Sequence, residues 1–187
     1  MRKIISSGAL FFCCFLLLTA CNTASHEKYF DVAVLNSNLL VGFANDGMAR
    51  ELESPSVKMN EKGQPVAMKR GEVMSSKIQF VEDTFEKLKG LKETEDTKDM
   101  LQTSRALYEY VLPVYKTEYV QLARSYDGDA PKEQIHSQLQ AIHDKYYQGF
   151  NELYTKLIDI GKAYAAKHNI KVNWGTPWGK EFGIRNT

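Results

Sequence analysis

From Ile135 to Tyr164 the apolar residues recur at steps of three or four: Ile135, Leu139, Ile142, Tyr146, Phe150, Leu153, Leu157, Ile160 and Tyr164. Such spacing keeps one apolar stripe on one face of a long helix. A lone helix cannot bury that stripe, so other helices must cover it, and the chain is constrained towards a helical bundle. Two further stripes supply the cover. Met74, Ile78, Val81, Phe85 and Leu88 share one helix face that stops at Gly90, a residue suited to a C-cap. Leu101, Tyr108, Val111, Tyr115, Tyr119, Leu122 and Tyr126 share another, on a helix opening at Thr94 or Asp96. Pro113 lies inside this third helix, where it removes a backbone donor and crowds the carbonyl of Glu109, which predicts a kink. Asp127-Gly128-Asp129 reads as a turn, and Pro131 stands at the start of the fourth helix, where a missing donor does no harm.

The remaining segments are less regular. Val32, Leu35, Leu39 and Phe43 fall at helical steps, while Phe30, Val32 and Val34 alternate before Asn36-Ser37-Asn38, as in a hairpin. Two strands alone make an unstable sheet, so residues 29–53 are read as a helix weakened around Gly42 and Gly47. Ser25 is placed to cap its start. Residues 54–70, with Pro55, Gly63 and Pro65 among polar side chains, read as a long connecting loop. Beyond Asn169, Trp174, Trp178 and Phe182 are interleaved with Gly175, Gly179 and Gly183, which makes helix implausible. The expected fold is therefore all-α: a four-helix bundle, up-down-up-down, with a kinked third helix and an irregular aromatic C-terminal tail.

The N-terminal segment has a different purpose. Arg2 and Lys3 precede a mostly apolar run from Ile4 to Leu18, too short for a comfortable membrane span and correctly placed for a secretory signal. It ends in Leu18-Thr19-Ala20-Cys21, which resembles the lipobox of bacterial lipoproteins. That resemblance implies cleavage after Ala20, acylation of Cys21 and a lasting hold on the membrane, since each buried methylene contributes about 0.8 kcal/mol. Residue 22 is Asn and not Asp, which by the same analogy favours the outer membrane, facing the periplasm; display on the cell surface is the alternative. The chain thus divides into a signal peptide at 1–20, a lipidated tether at 21–26 and a helical-bundle domain at 27–187, of which 170–187 is tail. The mature body is similar to the small helical lipoproteins of bacteria, a likeness that carries no site residues.

Composition narrows the function classes. The chain has 24 basic and 23 acidic residues, and Arg2 and Lys3 are lost with the signal, leaving no basic surplus to neutralise phosphates. Nucleic acid is therefore not expected as a partner. All three cysteines (Cys13, Cys14 and Cys21) precede the folded body, which excludes a disulfide framework, a cysteine nucleophile and a thiolate metal site there. No HExxH, GxSxG, P-loop or GxGxxG motif occurs, so an enzyme is not expected.

Three constellations remain. Glu133-x-x-His136 has a di-iron-like spacing but occurs once and sits in a first helical turn, where acidic residues favour the dipole and face solvent. His136 and His143, seven apart on one face, form a weak metal alternative or a surface pair; no cofactor is assigned. Nine of the ten tyrosines fall on helices three and four. They form either a core with snorkelling hydroxyls or a ligand cleft lined by Tyr115, Tyr119 and Tyr146, with Phe150 a turn away. Trp174 and Trp178 either fold back over the bundle or anchor a partner. The expected function is a membrane-anchored, non-enzymatic binding or structural module of the cell envelope with an envelope protein as partner. The alternative is a periplasmic small-ligand or metal carrier using the Tyr-rich interior.

Overall fold

The computed structural model describes residues 24–175 and 182–185. The signal segment, Cys21 and Trp178 lie outside the described residues. The protein is mostly helical, as the stripes require. Its helices are α1 (His26–Ala33), α2 (Asp46–Glu53), α3 (Arg70–Lys89), α4 (Lys98–Val114), α5 (Val120–Asp127) and α6 (Lys132–Lys167). The last carries the long stripe over 36 residues.

Helices α3, α4–α5 and α6 form three long antiparallel rods. At one end the carboxylate of Asp127 accepts from the first backbone N–H groups of α3, Arg70 at 2.8 Å and Gly71 at 2.9 Å, tying the end of α5 to the start of α3. At the other end His168, the C-cap of α6, meets Asp96 in the α3–α4 connection. Pro113 does not break its helix. Residues Tyr115–Tyr119 widen into a π-turn between α4 and α5, and the helical path continues. Thr117 donates its hydroxyl to the carbonyl of Pro113 at 2.8 Å within that turn. A proline and a π-turn are both places where the regular helical ladder is interrupted, and they fall here within one turn of each other.

The first segment departs most from expectation. Residues 27–53 are not one helix: α1 gives way to a 3-10 turn at Leu35–Leu40 and a loop before α2. Local chemistry explains the break. Ser37 Oγ donates to the Val34 carbonyl at 2.6 Å. Asn45 caps α2 by accepting from Gly47 N at 2.8 Å while its amide donates to the Val41 carbonyl at 2.7 Å. The loop closes on itself so tightly that a Cβ on Gly47 would stand 2.6 Å from the Gly42 Cα. The two glycines that weaken the helix in sequence are what permit this return. Ser25 caps α1 as expected, accepting from Lys28 N at 3.2 Å.

Residues 54–70 also hold more order than a loop. β1 (Val57–Met59) pairs antiparallel with β2 (Pro65–Ala67) around Gly63, whose φ is +72°. Register places Val57 opposite Ala67 and Met59 opposite Pro65, so one face of the ribbon is wholly apolar and exposed. The C-terminal tail is likewise ordered where it is described: β3 (Val172–Gly175) pairs antiparallel with β4 (Phe182–Arg185). Trp174 folds back onto the bundle, edge-on to Phe30 with centroids 6.0 Å apart. An aromatic ring against the core stabilises a ribbon that two strands alone could not hold.

On α6 the buried face is set by these neighbours. Ile142, Phe150, Leu157 and Tyr164 are buried as the stripe predicts. Tyr154, Ile158, Gly161 and Ala165 are buried as well, which turns the covered face in the C-terminal half. Gly161 admits Val34 so closely that a Cβ there would stand 2.8 Å from Val34 Cγ1.

Candidate functional site

A residue from the broken first segment packs against each of the tyrosines expected to line an interior cleft, and Tyr115 and Tyr119 also meet edge to face with centroids 5.3 Å apart. Phe43, fully buried, sits among the rings of Tyr115, Tyr119 and Phe150 at centroid distances of 5.5, 6.1 and 5.2 Å. Tyr110 and Tyr146 close the cage at 6.2 and 6.4 Å. Tyr119 lines one cleft and Tyr146 a separate depression with Glu118 and Lys145. Burial pushes the phenols of Tyr115 and Tyr119 well above their usual range, as desolvation disfavours the phenolate.

The three tyrosines then separate in role. Tyr115 is enclosed, and its hydroxyl finds no hydrogen-bond partner among the described residues. Tyr146 reaches the surface, where its hydroxyl donates to Glu118 at 3.0 Å beside Lys145. Tyr119 points its hydroxyl at the backbone of Ala44, accepting from Ala44 N at 2.9 Å.

Ala44 is the centre of the site that does form. Its φ is +52°, a left-handed conformation that a residue with a Cβ adopts only when its surroundings hold it there. Two side chains hold it. Tyr119 takes the N–H, and His143 takes the carbonyl at 2.8 Å through Nδ1. Because a carbonyl only accepts, Nδ1 of His143 carries the proton in this contact. The ring lies stacked on Tyr147, with centroids 4.7 Å apart, which fixes its plane.

Between α2 and α6 this arrangement walls a cleft of about 490 Å³, open to solvent. Ala44, Ala49 and Leu139 give it an apolar floor, and Arg50, Glu53, Gln140, His136 and His143 line it with donors and acceptors. His136 and His143 thus do share a wall, as their spacing predicts. A third histidine or acidic ligand does not join them among the described residues. Glu133 is exposed beside His136, in keeping with a solvated helix start. A second depression, lined by Tyr126, Lys132 and Ile135, adjoins through Glu53, His136 and Leu139. A third, lined by Glu51, Lys77 and Tyr147, adjoins through Asn45, Asp46 and Arg50. Grooves therefore flank α2 on both sides. The residues lining the first cleft include no Ser, Thr or Cys; its polar groups are carboxylates, imidazoles, amides, a guanidinium and the Tyr119 hydroxyl.

Sequence reasoning missed Ala44 and Arg50 and placed Phe43 on a helical stripe. Nothing in an alanine codon signals a left-handed backbone; only the loop-forming glycines 42 and 47 hinted that the chain turns there. The paired hydroxyls give a direct check. Tyr119→Phe strands a buried backbone N–H and is expected to cost about 1–3 kcal/mol. Tyr115→Phe removes a buried hydroxyl with no partner and is expected to leave stability unchanged or raise it by about 1 kcal/mol. Urea unfolding of both variants decides the matter, and equal losses would contradict the assignment of Tyr119 to Ala44.

In comparisons with known proteins the chain matches no family model, no curated protein and no solved structure.

Proposed function

We propose that this chain is a lipid-anchored, non-enzymatic binding module of the bacterial cell envelope, held through Cys21 and gripping its partner along α2. The cleft around Ala44 is the observation that carries this reading. A backbone held in a costly conformation by two side chains, at the wall of an open polar groove, is a preorganised recognition surface. An elongated set of adjoining depressions suits an extended segment of an envelope protein better than a compact small molecule. The bare ribbon face at Val57 and Met59, each about two-thirds exposed, is a further apolar surface open to a partner.

The fold reading that accompanies this is a four-membered bundle, up-down-up-down, in which the broken segment from α1 to α2 stands as the first member. Among the described residues no helix is long and apolar enough to cross a membrane. The lipobox supplies the means of attachment, and Asn22 favours the outer membrane with the body facing the periplasm.

Two measurements test the proposal. Cys21→Ser is expected to abolish labelling with radioactive palmitate and to release the body from the membrane fraction or leave the precursor unprocessed; labelling that persists removes the anchor. A photo-crosslinking residue at Gln140, on the cleft wall, is expected to capture one envelope protein in growing cells, while the same residue at exposed Glu109 on α4 captures none. Absence of an adduct at Gln140, together with a small molecule retained in native mass spectra of the purified protein, would favour the carrier alternative.

A further inference from the structure

A second polar cluster lies at the opposite end of the bundle from the α5–α3 junction, and the binding groove does not use it. His26 opens α1, Asp96 lies in the α3–α4 connection and His168 caps α6. One ligand atom from each lies within 4.8 Å of the others. The two imidazoles are stacked nearly parallel, with centroids 3.7 Å apart. His168 Nε2 stands 2.6 Å from Asp96 Oδ2, and Lys167 pairs with Asp96 Oδ1. His26 Nδ1 is held by the Tyr164 hydroxyl at 3.1 Å, which leaves Nε2 as the nitrogen available to a ligand.

We propose that His26, Asp96 and His168 form a divalent transition-metal site of the zinc class. The donor set is two neutral imidazoles and one carboxylate, the combination that zinc takes with a fourth position left for water or a partner group. Metal–nitrogen and metal–oxygen bonds of about 2.0–2.2 Å place tetrahedral ligand atoms roughly 3.3 Å apart. Binding therefore needs His168 and Asp96 to separate by less than an ångström and the stacked imidazoles to turn out of their parallel arrangement so that their in-plane lone pairs converge, and the ion replaces the hydrogen bond between His168 and Asp96. Outer partners are already in place. The Tyr164 hydroxyl orients His26, and Lys167 holds the carboxylate oxygen that the ion does not take, the kind of support that ligating residues need. The carbonyl end of α6, carrying the negative pole of a 36-residue helix, lies at the same spot and favours a cation. Bound metal would clamp the first residue of α1, five positions after Cys21, to the end of α6 and to the α3–α4 connection.

The test uses the full-length, untagged protein in detergent, stripped with a chelator and titrated with Zn(II) against a chromophoric competitor. One saturable site per chain is expected. His168→Ala and Asp96→Asn should each weaken it by about 100-fold or more, and Tyr164→Phe by about tenfold, as for loss of an outer hydrogen bond. Co(II) should give the absorption bands of a four-coordinate ion in the parent and lose them in Asp96→Asn, a near-isosteric change that spares the fold. Absence of saturable Zn(II) binding overturns the site. So does binding that survives His168→Ala.

Discussion

Replacing Phe43 by alanine is expected to cost about 3–5 kcal/mol of folding stability, the largest effect of any single substitution in the core. Phe43 is fully buried, and five aromatic rings surround it. Removing its ring deletes the transfer free energy of the side chain and also leaves a cavity that rigid neighbours cannot close. Tyr115, Tyr119 and Phe150 sit on helices whose backbones are fixed by their own hydrogen bonds, so collapse into the void is limited. For a chain of this length the loss corresponds to a fall in Tm of roughly 10 °C or more. Phe43→Leu, which keeps most of the volume, should cost clearly less. Denaturant unfolding followed by circular dichroism reads both. A loss below about 1 kcal/mol for Phe43→Ala would show that the ring does not bridge the first segment to the helices. Because Ala44 follows Phe43 directly, the variant should also lose crosslinking from Gln140.

Alkali should unfold the protein abruptly. Tyr108, Tyr115, Tyr119 and Tyr154 are all buried, and desolvation raises each phenol above its usual range. Tyr164 is raised to about 12 by burial and by the nearby Asp96 carboxylate. A phenol with a raised pKa in the fold contributes stability that is complete below pH 10, where folded and unfolded chains are both protonated. Above pH 10 the unfolded chain releases protons that the folded chain keeps, and the contribution is lost as pH rises towards the folded value. Each such tyrosine then removes about 1.4 kcal/mol per pH unit, so four together exceed a typical folding free energy within about two units. The measurement is phenolate absorbance at 295 nm alongside circular dichroism. Exposed tyrosines should titrate smoothly near pH 10, and the buried group should appear in one step that coincides with loss of helix. Smooth ionisation of all ten tyrosines with the helix intact would contradict the closed aromatic core.

The two expectations rest on features of unequal legibility. The stripe from Ile135 to Tyr164 foretold α6, and Ser25, Gly90 and Pro131 marked helix ends with their own local chemistry. These signals live within a few residues of the structure they produce, which is why they can be read. Phe43 fell on a helical stripe in sequence yet works from a loop, because glycines 42 and 47 make a backbone return affordable and the tertiary contact decides the rest. Ala44 is left-handed through hydrogen bonds from Tyr119 and His143, 75 and 99 positions away. His26, Asp96 and His168 meet only because antiparallel rods bring a helix start, a connection and a helix end to one corner; spacing along the chain is silent on such meetings. The two ribbons were lost for another reason. Strands of three or four residues give alternation too little room to stand out from a loop.

The length of α6 also sets a radius. At 1.5 Å per residue, His143 on the groove wall lies about 37 Å from His168 at the corner where α1 begins. From His26 back to Cys21 the chain spans at most about 18 Å when fully extended. Under the anchorage proposed for Cys21, the groove would sweep a dome no taller than roughly 55 Å above the bilayer. Within that dome a partner rooted in the same leaflet meets the groove again and again at a high effective concentration, so weak contacts suffice for lasting association. A freely diffusing partner gains nothing from the leash. Under that proposed anchorage the geometry would reward neighbours in the membrane over passers-by.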